Sequence, residues 1–385
     1  MQSSEEMKIC NMSSCSGCGL CSVVCPKKCV EMVYNAEGFL YPQIDNQKCI
    51  QCGLCNRACP VNKDYSRTSD AVAYGAFSSD PNTISTSSSG GMFSVLAESI
   101  LKENGIVYGA EFAFDFNVKH TRVVSMEGLQ KLRGSKYVQS SVHDQFENVK
   151  EDLNGGKKVL FSGTPCQVAA LISYLGRDYP NLITVDIICH GVPSPRLWDR
   201  YLRELESKYN SKIQSVSFRD KSYGWEQFCL KVCFKNNKVY KKRLDEDPYL
   251  RLFLQNMTLR KSCYNCKFKT RNRKCDITLA DYWGVQNIDS VIYNKTGTSL
   301  LLVHTEKARE LINQVQENAT IASTFAEKAM DNNCAIDTSV SMPDKRSEFF
   351  IHMDDKNTCL ISLMRKYDKE SLIKQLARKI KRLLK

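Results

Sequence analysis

The chain has 385 residues, 42% of them hydrophobic and 25% charged, with 19 cysteines and a formal net charge of +12, too many residues for one small module and enough for a large core. The cysteines would read as disulfides in an exported protein, but residues 1–10 lack the basic start and apolar core of a signal peptide and no apolar run approaches the about 18 residues of a membrane span; the expectation is a reducing, cytoplasmic setting. The charge does not argue for nucleic acid, because residues 365–385 hold nine Lys or Arg against two acidic residues, a balance of +7, which leaves the body only mildly basic.

The first feature met along the chain is a pair of cysteine runs, Cys15, Cys18, Cys21, Cys25 and Cys49, Cys52, Cys55, Cys59, closed by Pro26 and Pro60. Each reads C-x2-C-x2-C-x3-C-P, the bacterial ferredoxin spacing, in which three near thiolates hold one 4Fe-4S cube and the fourth reaches across to the other. The spacing therefore predicts two 4Fe-4S clusters, one on Cys15, Cys18, Cys21 and Cys59, the other on Cys49, Cys52, Cys55 and Cys25. Zinc is the competing metal, but two C-x2-C knuckles leave no place for a third cysteine at that interval. The runs form an internal repeat offset by 34 residues, with strands predicted over 29–33 and 38–42 around a turn at 35–38. Cys10 and Cys29 fall outside the repeat and read as small apolar spacers. Residues 1–66 are taken as this domain.

Residues 62–68 are polar and read as a linker. A strand over 71–76, a loop of small hydroxyls and glycines over 85–91 and a helix over 92–101 follow. Strand, small-residue loop and helix N-terminus in that order suit an anion, since free N–H groups meet the positive end of the helix dipole; a bare N-cap is the alternative. At 132–140, Arg133 and Lys136 are placed to neutralise a pyrophosphate and Tyr137 to stack on a flat ring, against the alternative of a solvated basic turn.

The strand over 157–163 leads to Thr164 as N-cap, Pro165 at the first helical position and Cys166 in the first turn, where the dipole favours thiolate. A second strand over 182–188 ends at Cys189. Both sulfurs then stand at the carboxyl ends of neighbouring parallel strands, the usual ligand position in open α/β sheets. Together with Cys263 and Cys266 they suit a third 4Fe-4S cluster; a zinc knuckle, a redox-active Cys166/Cys189 pair and buried thiols are the other readings. Cys275 is a reserve ligand. His190 is a candidate proton donor or a hydrogen-bond partner of the site, and Asp281 a capping or orienting residue. Cys229 and Cys233 belong to a hairpin over 228–240 turning at Asn236 and Asn237, as core or sheet-face residues. Residues after 351 turn helical and basic. Leu372, Ile373, Leu376, Ala377, Ile380, Leu383 and Leu384 alternate with Lys and Arg as a basic amphipathic helix, suited to an anionic membrane surface, to a partner, or to solvent.

SSSGGMFS (87–94), LRGSKYVQS (132–140), FSGTPCQVAAL (161–171), CHGVPSP (189–195), SFRDK (217–221) and SCYNC through LADYWG (262–284), behind a paired ferredoxin module, are jointly specific. The chain resembles the coenzyme F420 hydrogenase/dehydrogenase beta-subunit family, iron–sulfur flavoproteins that bind FAD. The resemblance implies FAD contacts at Ser89, Gly90, Gly91, Ser135 and Lys136, and it favours the third cluster on Cys166, Cys189, Cys263 and Cys266. It implies an α/β fold, α+β overall: a 2x4Fe-4S domain over 1–66, the N-terminal part of the FAD-binding region over 67–155, its C-terminal part over 156–345 and a basic helical tail over 346–385. The implied function is an oxidoreductase passing electrons between clusters and FAD to an unidentified small-molecule substrate, with ferredoxin or another redox protein as partner. No nucleic acid is expected, and membrane contact only at the periphery, through the tail. Two other classes stay open, a scaffold stapled by clusters and an electron-transfer subunit feeding a partner enzyme. The genomic setting of some relatives suggests surface-polysaccharide biosynthesis for the latter.

Overall fold

The computed structural model describes residues 8–67, 70–355 and 357–368. Its N-terminal part folds around the cysteine repeat. Helices α1 (Leu20–Val23) and α2 (Leu54–Ala58) occupy equivalent places, each entered through a left-handed glycine, Gly19 at φ 74° and Gly53 at φ 72°. Two residues before them, Gly17 and its repeat equivalent Gln51 are left-handed too, at 70° and 52°. The C-x2-C turn thus imposes its backbone even where a β-carbon makes it costly. Strands β1 (Val30–Tyr34) and β2 (Leu40–Ile44) pair antiparallel, Val30 opposite Ile44, and the turn between them is fixed by Phe39 N donating to Asn35 Oδ1 at 2.9 Å.

The polar segment expected as a linker is instead a strap. Tyr65 is buried edge-on against Phe268, and Arg67 donates through Nε to the Arg273 carbonyl and through its guanidinium to that of Lys274. Beyond it run β3 (Val72–Ser78), α3 (Pro81–Thr86) and α4 (Met92–Lys102). The small-residue loop is shorter than the hydroxyl run suggests. Asp80 accepts from Asn82 N and Thr83 N, and with Pro81 at the first helical position a helix starts that takes in Ser85 and Thr86 and leaves only 87–91 as loop.

Next come the hairpin β4 (Ile106–Phe112) and β5 (Val118–Val123), then α5 (Met126–Leu132), α6 (Phe146–Asn154), β6 (Val159–Gly163), α7 (Pro165–Leu175) and β7 (Leu182–Ile187). Helix α8 (Pro195–Tyr209) leads to a three-stranded antiparallel sheet of β8 (Ile213–Asp220), β9 (Cys229–Phe234) and β10 (Val239–Arg243). Its β9–β10 turn at Asn236 and Asn237 is where the alternation placed it. The chain continues through α9 (Pro248–Leu254), β11 (Ile277–Asp281), β12 (Ser299–Val303), α10 (Glu306–Gln314), β13 (Ala319–Ser323), α11 (Ala326–Asp331), α12 (Arg346–Met353) and α13 (Leu360–Tyr367).

Eight strands form one sheet in the order β13-β3-β12-β11-β7-β6-β4-β5. β4, β6, β7 and β11 are parallel neighbours, and the remaining strands flank them antiparallel. The body segments on either side of residue 155 therefore share one sheet. One core packs α4, α5 and α10 against it; another packs α6 and α7 and continues into the cysteine module through Val61 and Tyr65. A third gathers α8, α9, the small sheet, α12 and α13. This is the expected α/β body behind a ferredoxin-like domain. The C-terminal stretch up to Asp368 is part of it, not a free tail: Leu360, Leu363 and Met364 are buried, and Asp368 accepts from Arg251 at 2.7 Å. The basic amphipathic run from Leu372 lies outside the described residues. Among the described residues no helix is long and apolar enough to cross a membrane.

Candidate redox centres and anion site

The two N-terminal cysteine sets come together across the repeat. The Cys10 thiol lies within interaction range of both Cys15 and Cys59, and Cys18 and Cys21 feel the charges of the same two sulfurs. Cys25, Cys49, Cys52 and Cys55 line a second cavity with Ile50 and Leu54. These are the crossed groupings, Cys59 with the first run and Cys25 with the second. The outsiders are close neighbours of the sets: Cys29 Sγ lies 3.4 Å from Cys25 Sγ. Among the described residues no group of three or more His, Cys, Asp or Glu closes around a single metal ion. A cube takes one thiolate at each of four separate irons, so its ligands are spread around a larger body.

Electrostatics separate the thiols. The hydrogen bond from Cys10, and after it the Arg260 charge, bring Cys15 down to about 6 despite burial. Arg260 is 0% exposed and donates to the Cys15 carbonyl at 2.7 Å, to Cys15 Sγ at 3.7 Å and to the Leu40 carbonyl at 2.8 Å. Its guanidinium also lies 4.1 Å from the Tyr41 ring centroid. A buried guanidinium facing sulfur rather than carboxylate suits a site where thiolate and cluster charge accumulate.

Three residues on, the chain reaches Cys263 and Cys266. With Cys166, Cys189 and His190 they line one cavity, which Ser14, Ser16 and Arg260 share with the first cysteine set. Cys166 stands in the first turn of α7, where Thr164 N donates to Gln167 Oε1 at 3.0 Å and the Thr164 hydroxyl lies 3.1 Å from Cys166 Sγ. Cys189 follows β7, parallel neighbour of β6. The thiolate bias expected of Cys166 is overridden: burial pushes its free thiol well up, and burial likewise raises Cys189 to about 12 and Cys263 to about 11. Thiols this hard to ionise become ligands only by handing their protons to an incoming metal, and four thiolates suit a 4Fe-4S cube or a zinc ion. Cys275, the reserve, does not line the cavity; it is fully buried and hydrogen-bonded to Thr278. His190 does line it. Its Nε2 is buried with no hydrogen-bond partner among the described residues, and burial lowers its basicity.

The small-residue loop and the 132–140 segment also meet. Ser135 N donates to Ser88 Oγ at 2.6 Å. Gly90 N donates to Ser299 Oγ at 3.0 Å, and a β-carbon on Gly90 would stand 2.5 Å from the Ala76 carbonyl and 2.8 Å from Ser299 N, both immovable backbone. Gly91, at φ 85°, opens α4. Lys136 Nζ rests on the Leu132, Arg133 and Gly134 carbonyls at the end of α5, and burial pulls it down to about 7.

The SFRDK segment carries no local signal of a role; the structure supplies one. Arg219 donates to both carboxylate oxygens of Asp281, to the Ser88 carbonyl and to the Tyr137 hydroxyl, and its Nε is buried without a partner among the described residues. Lys221 Nζ donates to the Ile84 and Ser89 carbonyls at 2.7 and 2.8 Å, and burial draws it down to about 7. Asp281, which also accepts from Trp225 Nε1 at 2.9 Å, is thus an orienting residue. Two ammonium groups without a carboxylate hydrogen-bond partner, around a Ser/Gly loop and a helix start, are a donor set for an anion such as pyrophosphate. The Ser94 hydroxyl in the first turn of α4, buried and unpartnered among the described residues, fits the same use. One face of the Tyr137 ring is stacked on Phe253 at 4.8 Å. Phe253 also touches His190, edge-on at 5.0 Å, so two aromatic rings separate the cysteine cavity from the anion site. Both stand at the carboxyl ends of the parallel strands.

Residues 14–63 match the 4Fe-4S dicluster domain, and residues 156–328 match the model for the C terminus of the coenzyme F420 hydrogenase/dehydrogenase beta subunit. Residues 156–328 are thus related to the C terminus of the coenzyme F420 hydrogenase/dehydrogenase beta subunit, behind a 4Fe-4S dicluster domain. The two matches together mark an iron–sulfur protein of oxidoreductase type, related to that subunit and suited to electron transfer. A chain of the F420-reducing NiFe hydrogenase complex from Methanosarcina barkeri, solved in a xenon-derivatised crystal, is similar at 17% identity and a TM-score of 0.46, over 71% of the present chain and 90% of that one. No curated protein matches it.

Proposed function

We propose that the chain is an iron–sulfur flavoprotein that moves electrons between 4Fe-4S clusters and FAD to reduce or oxidise a small-molecule substrate. The observation that carries this reading is the meeting of Lys136, Lys221 and the 87–91 loop at the same strand ends as the Cys166 cavity. In this reading Cys15, Cys18, Cys21 and Cys59 hold one cluster, Cys49, Cys52, Cys55 and Cys25 the second, and Cys166, Cys189, Cys263 and Cys266 a third. Ser89, Gly90, Gly91, Ser135 and Lys136 receive FAD, with Arg219 and Lys221 added from the structure. The ferredoxin-like unit is 1–66, and 67–155, 156–345 and the packed part of 346–385 up to Asp368 together make the body. When bound, FAD supplies the exchange between one-electron and two-electron steps.

The chain's own part is placement and charge. Gly90 and Gly91 let backbone N–H groups approach a pyrophosphate, Lys136 and Lys221 offset its charge, and Asp281 holds Arg219 in line. His190, with a bare buried Nε2 on the cavity wall, is the candidate to hold and hand over a proton. Anaerobic reconstitution followed by iron, sulfide and flavin analysis tests the reading: iron, sulfide and stoichiometric flavin are expected, and material without flavin overturns it. A second reading, an electron-transfer subunit feeding a partner enzyme, draws on the exposure of Cys52; co-purification with such an enzyme and no turnover alone would favour it.

A further inference from the structure

The two N-terminal cysteine sets differ in their access to solvent. In the first, Cys15, Cys21 and Cys59 are buried, and Arg260 and the Cys166 cavity lie against them. In the second, only Cys55 is buried, and Cys52 is exposed. Around Cys52 the surface is apolar where a soluble edge would be polar: Ile50 is 58% exposed and Leu54 40% exposed, and both line the cavity of the second set. Isolated exposed apolar residues are ordinary, but two flanking an exposed ligand sulfur form a contiguous patch beside a redox site.

The patch is rimmed by cations. Lys27 lines the same cavity, Lys28 follows it, and the Arg57 guanidinium lies over Gly53, within 2.9 Å of where a β-carbon would stand. All three are exposed, and none takes part in an ion pair among the described residues. Lys48, close by, is held by Asp45 at 2.9 Å, and Glu31 is the exposed acid on β1. The local balance is therefore positive, and it does not depend on the basic stretch after residue 368.

We propose that this face is the port through which electrons enter or leave the chain, and that its partner is a small acidic electron-transfer protein. The inference rests on the proposed electron-carrying function and adds to it the direction of approach and the partner's charge. An apolar centre excludes water where the two redox groups approach, and a ring of unpaired cations steers an acidic surface onto it, which acts on association rate more than on affinity. The step is the passage of one electron from the reduced partner, which is oxidised by one equivalent, to the thiolate-held centre. No bond forms or breaks and no proton moves.

The test uses the full reconstituted chain and a pre-reduced acidic two-iron ferredoxin as probe, with stopped-flow bleaching as readout. The triple variant Lys27→Glu, Lys28→Glu, Arg57→Glu is expected to accept electrons about 10-fold or more slowly at low ionic strength, the difference shrinking at roughly 0.5 M salt. Its iron and sulfide content and final bleaching by dithionite should match the parent. If the triple variant loses iron, the milder Lys27→Gln, Lys28→Gln, Arg57→Gln variant is read instead, with a slowing of about 3-fold expected. Equal rates in variant and parent overturn the inference, as does a parent that dithionite bleaches but ferredoxin does not reduce at any salt concentration. A parent that dithionite itself fails to bleach overturns the electron-carrying reading instead.

Discussion

Arg260 directs a guanidinium N–H at Cys15 Sγ across 3.7 Å while its Nε–H is bonded to the Cys15 carbonyl at 2.7 Å. One side chain from the body thus reaches into the ferredoxin-like domain and touches a sulfur of its inner set. Gly17 is left without a side chain in the same space, since a β-carbon there would stand 2.7 Å from the guanidinium.

The Arg260→Met variant keeps the apolar stem and removes the charge. A charge-assisted hydrogen bond contributes about 1.5–3 kcal/mol, and for one electron 59 mV corresponds to about 1.4 kcal/mol. Because the cation favours the more negative, reduced state, its loss should lower the midpoint potential of the inner cluster by about 60 mV or more. An EPR-monitored redox titration reads this directly; an unchanged potential would show that the cation is not coupled to the sulfur.

Cys263→Ser bears on the third set alone. If the four cavity cysteines hold a cube, iron should fall from about twelve to about eight atoms per chain while the signals of the two N-terminal clusters persist. Equal iron in variant and parent would leave these cysteines as buried thiols.

Lys136 and Lys221 set a pH dependence. Burial holds both at about 7 in the folded chain, below the roughly 10.4 of an unfolded lysine. Between those values the unfolded chain binds protons that the fold does not, so the ligand-free protein gains stability as pH rises through that window. A bound pyrophosphate reverses the shift. FAD or ADP binding near pH 8.5 should therefore take up protons, up to about two, and weaken as pH rises above 7. Calorimetry in two buffers of different ionisation enthalpy measures the uptake; none would mean that neither ammonium faces the ligand.

Glu37 in the β1–β2 turn receives a two-pronged pair from Arg346 of α12, at 2.8 and 2.6 Å. Replacing it, Glu37→Gln, leaves a fully buried guanidinium short of its counter-charge. A loss of about 2 kcal/mol is expected, seen as a lower thermal midpoint and faster proteolysis between the ferredoxin-like domain and the body.

Truncation separates the packed C-terminus from the basic run beyond it. Removing 369–385 spares the buried contacts of α12 and α13. Removing 357–385 deletes Leu360, Leu363 and Met364, each worth about 1.5–3 kcal/mol of burial, and strips Asp368 from Arg251. The shorter cut should leave cofactor content and melting unchanged, whereas the longer one should yield little folded protein. Liposome binding by the basic run is to be assayed on the shorter cut.

By itself, the order of residues determined whatever depends on near neighbours. Cysteine intervals dictate ligand geometry, Thr164 and Pro165 start a helix, Asn236 and Asn237 turn a hairpin, and alternation marks β1, β2 and β9, because these preferences act over a few bonds. Packing alone brought together partners far apart in the chain: Arg260 against Cys15, Arg219 between Ser88 and Asp281, Lys221 beneath Ser89, Arg346 on Glu37. A lone Arg or Lys in a sequence reads as solvated surface, and nothing local says which will be stripped of water. The same holds for Cys166, where the local dipole argued for thiolate but burial, a property of the whole packed chain, prevailed.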